Sequence, residues 1–158
     1  MKIKIFIVSL LLSILVIVGC SNNQAKPKVE DSVVLLQTGK NKNHCIICGM
    51  KLDMFYKTNH ASTVNGKARQ YCSIHCLAED KSIKKSNVKD IKVVALDTLK
   101  FIPVEDATYV VGSDMKGTMS NISKYAFSGR MSARRFAQKH QGRVMNFEKA
   151  YEYALKDF

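Results

Sequence analysis

Ala61-Ser62-Thr63-Val64, Asn65-Gly66 and Lys67-Ala68-Arg69-Gln70-Tyr71-Cys72 form the stretch on which the architecture turns. Two short runs flank Asn-Gly, the dipeptide that most readily takes the positive φ angles of a type I′ turn, so a β-hairpin is predicted here. Ser73 follows in a capping position and starts a helix predicted to run to about Lys81. The apolar Ile91-Lys92-Val93-Val94-Ala95-Leu96 then reads as a strand.

Downstream, Leu99 to Val104 and Thr108 to Val111 are further strand candidates, separated by Pro103 and an acidic turn. Gly112 to Ser120 is too rich in Gly and Ser for regular structure and predicts a long functional loop, bounded downstream by Ser128-Gly129. Met131 to His140 has helical spacing, with Met131, Phe136 and Ala137 available to one face, His140 at its C-terminus as a capping residue and Gly142 as a stop. Arg143-Val144-Met145 reads as a strand. Asn146 caps a last helix that carries Phe147, Ala150, Tyr151, Ala154 and Leu155 inward. The element order predicts an α+β fold of two small related ββαβ-like halves packed as one compact domain, with no sequence repeat between them.

Upstream, the first twenty residues bear on the compartment. Lys2 and Lys4 precede an apolar run from Ile5 to Val18, and small Gly19 then meets Cys20. The run is short for a bilayer span, which needs roughly 20 apolar residues, and its flanks have the order of a secretory signal. Ile17-Val18-Gly19-Cys20 resembles the bacterial lipobox, which implies a signal peptide over 1–19 and a lipidated Cys20. Residues 20–32 then form a flexible tether and 33–158 the folded domain. The expected location is the cell envelope, anchored by lipid to a membrane and facing the periplasm. Ser21 after the lipidated Cys leans toward an outer membrane in a Gram-negative cell.

The formal net charge is +12, and loss of Lys2 and Lys4 with the signal leaves a strongly basic domain. Outside the cytosol such a surface favours anionic headgroups or an acidic protein. Nothing supplies the aromatic platform or recognition helix of a nucleic-acid module, so no nucleic-acid partner is expected.

Four cysteines remain after Cys20, as two tight pairs: Cys45-Ile46-Ile47-Cys48 and Cys72-Ser73-Ile74-His75-Cys76. A Cys-x-x-Cys loop turns both thiols toward one point, and a pair at a helix start offers a second converging edge, the pattern of a metal site. Three readings stay open. An exported chain can hold such cysteines as disulfides; zinc can close them into a structural clamp; or they can carry a transferable soft ion. Thioethers favour copper(I), since Met50 and Met54 follow Cys48 closely while Met115 and Met119 flank the glycine-rich loop. Met131 and Met145 read instead as core. His44, His60 and His75 are candidate secondary ligands.

Cys45-Ile46-Ile47-Cys48-Gly49-Met50, Tyr109-Val110-Val111-Gly112-Ser113, Lys116-Gly117-Thr118-Met119, Ala126-Phe127 and His140-Gln141-Gly142-Arg143-Val144 together resemble the NosL family, the nitrous-oxide reductase accessory lipoproteins. The resemblance covers about residues 44–150. It implies a lipid-anchored copper(I) metallochaperone that acts with an ABC-type membrane complex to supply nitrous-oxide reductase. Its metal residues carry over as Cys45, Cys48, Met50 and Met119, with Cys72 and Cys76 from the second pair and Met115, His75 and His44 as secondary candidates. Two departures accompany it. Tyr71 to Cys76 looks like half of a TRASH or YHS-type metal motif, which opens a four-thiolate site with zinc as the alternative metal, and His140-Gln141-Gly142 replaces a more usual His-Gly-Gly. The reading is non-enzymatic. The competing classes are a structural zinc-binding interaction module, a Cys-x-x-Cys thiol oxidoreductase and an organomercurial lyase, whose fold resembles the family's.

Overall fold

A computed structural model describes residues 28–158 of the chain. The expected signal peptide, Cys20 and most of the expected tether lie outside the described residues. Among the described residues, no helix is long and apolar enough to cross a membrane.

The hairpin forms where Asn-Gly places it. Strands β1 (His60–Val64) and β2 (Lys67–Tyr71) pair antiparallel from Val64↔Lys67 to His60↔Tyr71. Asn65 and Gly66 carry the turn at φ 50° and 74°, the left-handed region in which Asn and Gly are least strained. Helix α1 (Ile74–Ala78) follows and runs on into a π turn over Glu79–Ile83. Ser73 stands at its cap position, but its side chain accepts no capping hydrogen bond. The chain returns as β3 (Val88–Ala95), antiparallel to β1, and β4 (Lys100–Pro103) adds to β3.

The second unit repeats the plan. Strand β5 (Thr108–Val111) pairs with β6 (Lys124–Phe127), α2 (Arg130–His140) follows, and β7 (Arg143–Met145) returns to the free side of β5. Helix α3 (Phe147–Leu155) ends the chain. The sheet order is β2-β1-β3-β6-β5-β7, so each unit sets its first strand between its second and third. The expected α+β fold of two ββαβ halves is what forms. A single parallel pair, Ala95↔Ala126, with Leu96 N–H donating to the Ala126 carbonyl at 2.7 Å, joins the halves.

Alternation along the strands divides the core. Val93, Tyr109, Val111 and Ala126 pack with α1, α3 and the cysteines in the main core. On the other face, Val110, Tyr125 and Phe127 meet Ala133, Phe136 and Ala137 of α2, and Val94 meets Tyr56, Leu99, Val29 and Val33. Each such aliphatic or aromatic side chain taken fully from water contributes roughly 1.5–3 kcal/mol. Residues 28–32, the end of the expected tether, thus include Val29 on that second core.

Two expectations need correction. Met131 is not core: it lies on the outer side of α2, 60% exposed, because Ala133, Phe136 and Ala137 define the inner stripe. Leu155, the last residue of α3, is 37% exposed. Residues 33–36, ahead of the first cysteine loop, are held by side chains rather than by a ladder. Gln70 Oε1 accepts from Leu36 N at 2.9 Å, and Gln37 Oε1 accepts from Gln70 N at 2.9 Å.

Candidate metal centre

The first cysteine loop is closed by its own backbone. Cys45 N–H donates to the Met50 carbonyl at 2.8 Å, Gly49 N–H to the Cys45 carbonyl at 3.0 Å, and His44 bridges to Lys51. Gly49 sits at φ +75°, where a side chain would strain the turn. The Gln37 amide donates to the carbonyls of Asn41, Lys42 and His44, and Ile46 N–H donates to the Gln70 carbonyl, which docks the loop on the end of β2.

The second pair comes from the β2–α1 junction, with Cys72 just past the strand and Cys76 in the first turn of α1. Thr58 Oγ1 donates to the Cys72 carbonyl at 2.8 Å. Below the junction, buried Asp80 accepts from Arg69 Nη1 at 2.7 and 2.8 Å, from Tyr71 Oη at 2.8 Å and from Ser86 Oγ at 2.6 Å. Burial opposes ionisation of Asp80, but the donors Ser86, Arg69 and Tyr71 together hold its carboxyl below the usual range. That network pins the segment after α1 to β2 and so fixes Cys76 relative to Cys72. Arg69 and Asp80 look like ordinary surface charges in the sequence; only their convergence reveals them.

All four thiols meet. The Sγ atoms of Cys45, Cys48, Cys72 and Cys76 lie within 4.8 Å of one another, with Cys48–Cys72 at 3.4 Å and Cys72–Cys76 at 3.7 Å. All four are free in this structure. A tetrahedron of sulfurs about 2.3 Å from a central ion has edges of about 3.8 Å, within the span observed here. Four soft donors with no carboxylate among them suit zinc or copper(I) and exclude hard ions. Without an ion, the Cys72 and Cys76 thiols donate to Cys45 and hold its pKa well below the ordinary thiol range, while the same bonds, reinforced by burial, push Cys72 and Cys76 up. Three of the thiols belong to buried residues and Cys48 is partly buried against the same core. Cys48 is therefore the least buried corner of the cluster.

The other expected site residues take varied places. Met50 packs against the core that holds the thiols. Met115 and Met119 are 42% and 41% exposed on the glycine-rich loop, whose Thr118 hydroxyl meets Thr58 Oγ1 at 2.9 Å and so reaches the backbone of Cys72. His44 and His75 flank cysteines in sequence, but their ring nitrogens stand outside the four-sulfur group. His75 stacks on Phe158 with centroids 4.3 Å apart, and its Nδ1 lies 3.8 Å from Asp157. His60 is buried between Thr58 and Tyr109. His140 ends α2 with Nδ1 3.1 Å from Asp114, whose N–H caps the His140 carbonyl at 2.8 Å.

The sequence profile of the NosL family matches residues 37–154. A solved structure described as the copper chaperone NosL from Shewanella denitrificans is similar in fold, with TM-score 0.58 and 21% identity over 72% of this chain and 92% of that one. No characterised protein matches by sequence.

Proposed function

This chain belongs to the NosL family, and from that premise we propose that it is a non-enzymatic metallochaperone whose cargo is copper(I). The observation that carries the reading is the convergence of four free thiols within 4.8 Å with one corner, Cys48, only partly buried. Thiolates favour copper(I) over hard ions, and the least buried corner lets an acceptor's sulfur enter before the donor's leaves. Met50, partly buried against the same core, follows the first pair in sequence, and the exposed Met115 and Met119 suit the hand-over path.

In the full reading Cys20 is acylated and holds the domain at the periplasmic side of the cell envelope. There it gives copper(I), with an ABC-type membrane complex, to nitrous-oxide reductase. The lipobox-like Ile17-Val18-Gly19-Cys20 and the family's known role support this. A strain lacking the chain should then accumulate copper-poor nitrous-oxide reductase.

The direct test is an anaerobic copper(I) titration of the reduced chain against a chromophoric copper(I) competitor, with zinc measured on the protein as isolated. Tight copper binding that weakens on Cys45→Ser supports the chaperone. A firmly held zinc with no response to copper(I) overturns it. One observation favours that second reading: Cys45, Cys72 and Cys76 are part of the main core, as in a structural clamp. Removal of the metal separates the two, since a clamp unfolds without its ion and a carrier stays folded.

A further inference from the structure

Helix α2 carries Arg130, Arg134, Arg135 and Lys139, all exposed, and the chain has no Asp or Glu between Asp114 and Glu148. Among the described residues none of these four cations forms an ion pair. The carboxylates at its two ends are already engaged. Asp97 accepts from Ser128 and Gly129 at the start of α2, and Asp114 faces His140 at its end. Met131 projects among the cations, 60% exposed. Basic side chains around an outward apolar group are the composition of a helix that rests in a headgroup layer.

The start of the described chain lies beside this helix. Lys28 and Val29 line a cleft of about 660 Å³ together with Arg135, Phe136 and His140. From Cys20 to Lys28 the chain can span at most about 28 Å. An anchor at Cys20 therefore holds the α2 side near the bilayer. The thiols belong to the core on the opposite side of β5 and β6.

We propose that the outer face of α2 is a membrane-docking surface that lies on anionic lipid headgroups and so turns the thiol centre away from the bilayer. The orientation rests on the acyl anchor proposed above; the affinity of α2 for anionic lipid does not. A docked α2 leaves the Cys48 corner accessible to an acceptor in the aqueous phase. It also confines the search for that acceptor to the membrane surface.

The chain contains no tryptophan, so Met131→Trp supplies a single reporter at an exposed position. The full-length chain is reconstituted in brominated phosphatidylcholine vesicles with and without phosphatidylglycerol, and acylation of Cys20 is read separately by mass. Quenching of the reporter that requires phosphatidylglycerol and is reversed by high salt is expected. Each basic residue near a charged surface is worth about fivefold in partition. Arg134→Glu with Arg135→Glu should therefore weaken binding by more than tenfold, while Lys89→Glu with Lys92→Glu, the same change of charge on exposed β3, should leave it within about twofold. Equal emission in both vesicle types, or equal loss in both double variants, overturns the proposal and leaves α2 to an acidic protein or to net charge alone. An unacylated chain that still binds anionic vesicles through α2 would remove the anchor and keep the surface. An acylated chain with an indifferent reporter would do the reverse.

Discussion

The two ββαβ halves share a plan and differ in chemistry at one junction. In the first, β2 ends at Tyr71 and passes through Cys72 and the cap residue Ser73 into a helix bearing Cys76. In the second, β6 ends at Phe127 and passes through Ser128 and the cap residue Gly129 into a helix bearing Ser132. Thiols in one half thus correspond to hydroxyls in the other. The first junction, closed by the Cys45–Cys48 loop, is buried and suits a soft ion. The second takes a carboxylate, since Ser128 Oγ donates to Asp97 at 3.0 Å and Gly129 N–H at 3.2 Å. The backbone plan fixes where a junction is; oxygen or sulfur at two positions fixes what it can hold.

The largest test of that contrast replaces sulfur on one side only. Structural four-ligand sites bind zinc with roughly 10–16 kcal/mol, so one ligand is worth roughly 2.5–4 kcal/mol. Cys76→Ser should lower metal affinity by roughly a hundredfold to a thousandfold, measured by competition titration, and Ser132→Ala should leave it unchanged. Equal losses would show that the halves share the metal.

A second test loosens the seam between the halves. His60 of β1 donates from Nδ1 to the Thr58 carbonyl and accepts at Nε2 from the hydroxyl of Tyr109 on β5, both at 3.0 Å. Burial lowers its pKa from 6.5 to about 4, against the weaker pull of the Thr58 carbonyl. The unfolded chain therefore binds the proton first as pH falls. Stability is full above 6.5 and declines toward pH 4, by about 3 kcal/mol in total. Denaturant midpoints across that range should show the slope, and His60→Gln should flatten it. An unchanged slope would place the acid sensitivity elsewhere.

The smallest effect concerns how each helix exits. The first half turns through Lys85 at φ 56°, the second through Gln141 at φ 61° and Gly142 at φ 94°. A Cβ on Gly142 would lie 2.9 Å from Val110 Cγ1 and 3.0 Å from Ser113 N. Gly142→Ala should cost about 2 kcal/mol in thermal unfolding and leave metal affinity unaltered.

Local chemistry carried much of this in advance. Asn65-Gly66 dictates its own hairpin, and Asn146 accepts from Lys149 N–H to start α3, because both depend on residues a few positions apart. The Cys spacing likewise announces two converging pairs. Met131 was misplaced because helical spacing offers more than one apolar stripe, and the sheet chose Ala133, Phe136 and Ala137. The Asp80 network was invisible because its donors, Arg69, Tyr71 and Ser86, come from both sides of α1.

By itself, then, the sequence determined the secondary elements, the α+β class and the thiol inventory, since short-range torsional preference and residue chemistry suffice for those. Only the tertiary structure decided that Cys45 and Cys48 meet Cys72 and Cys76, that Ala95 and Ala126 join the halves, and that α2 and the thiols lie on opposite sides of β5 and β6. Those outcomes depend on which distant apolar faces bury one another, and that energy belongs to the whole packed chain.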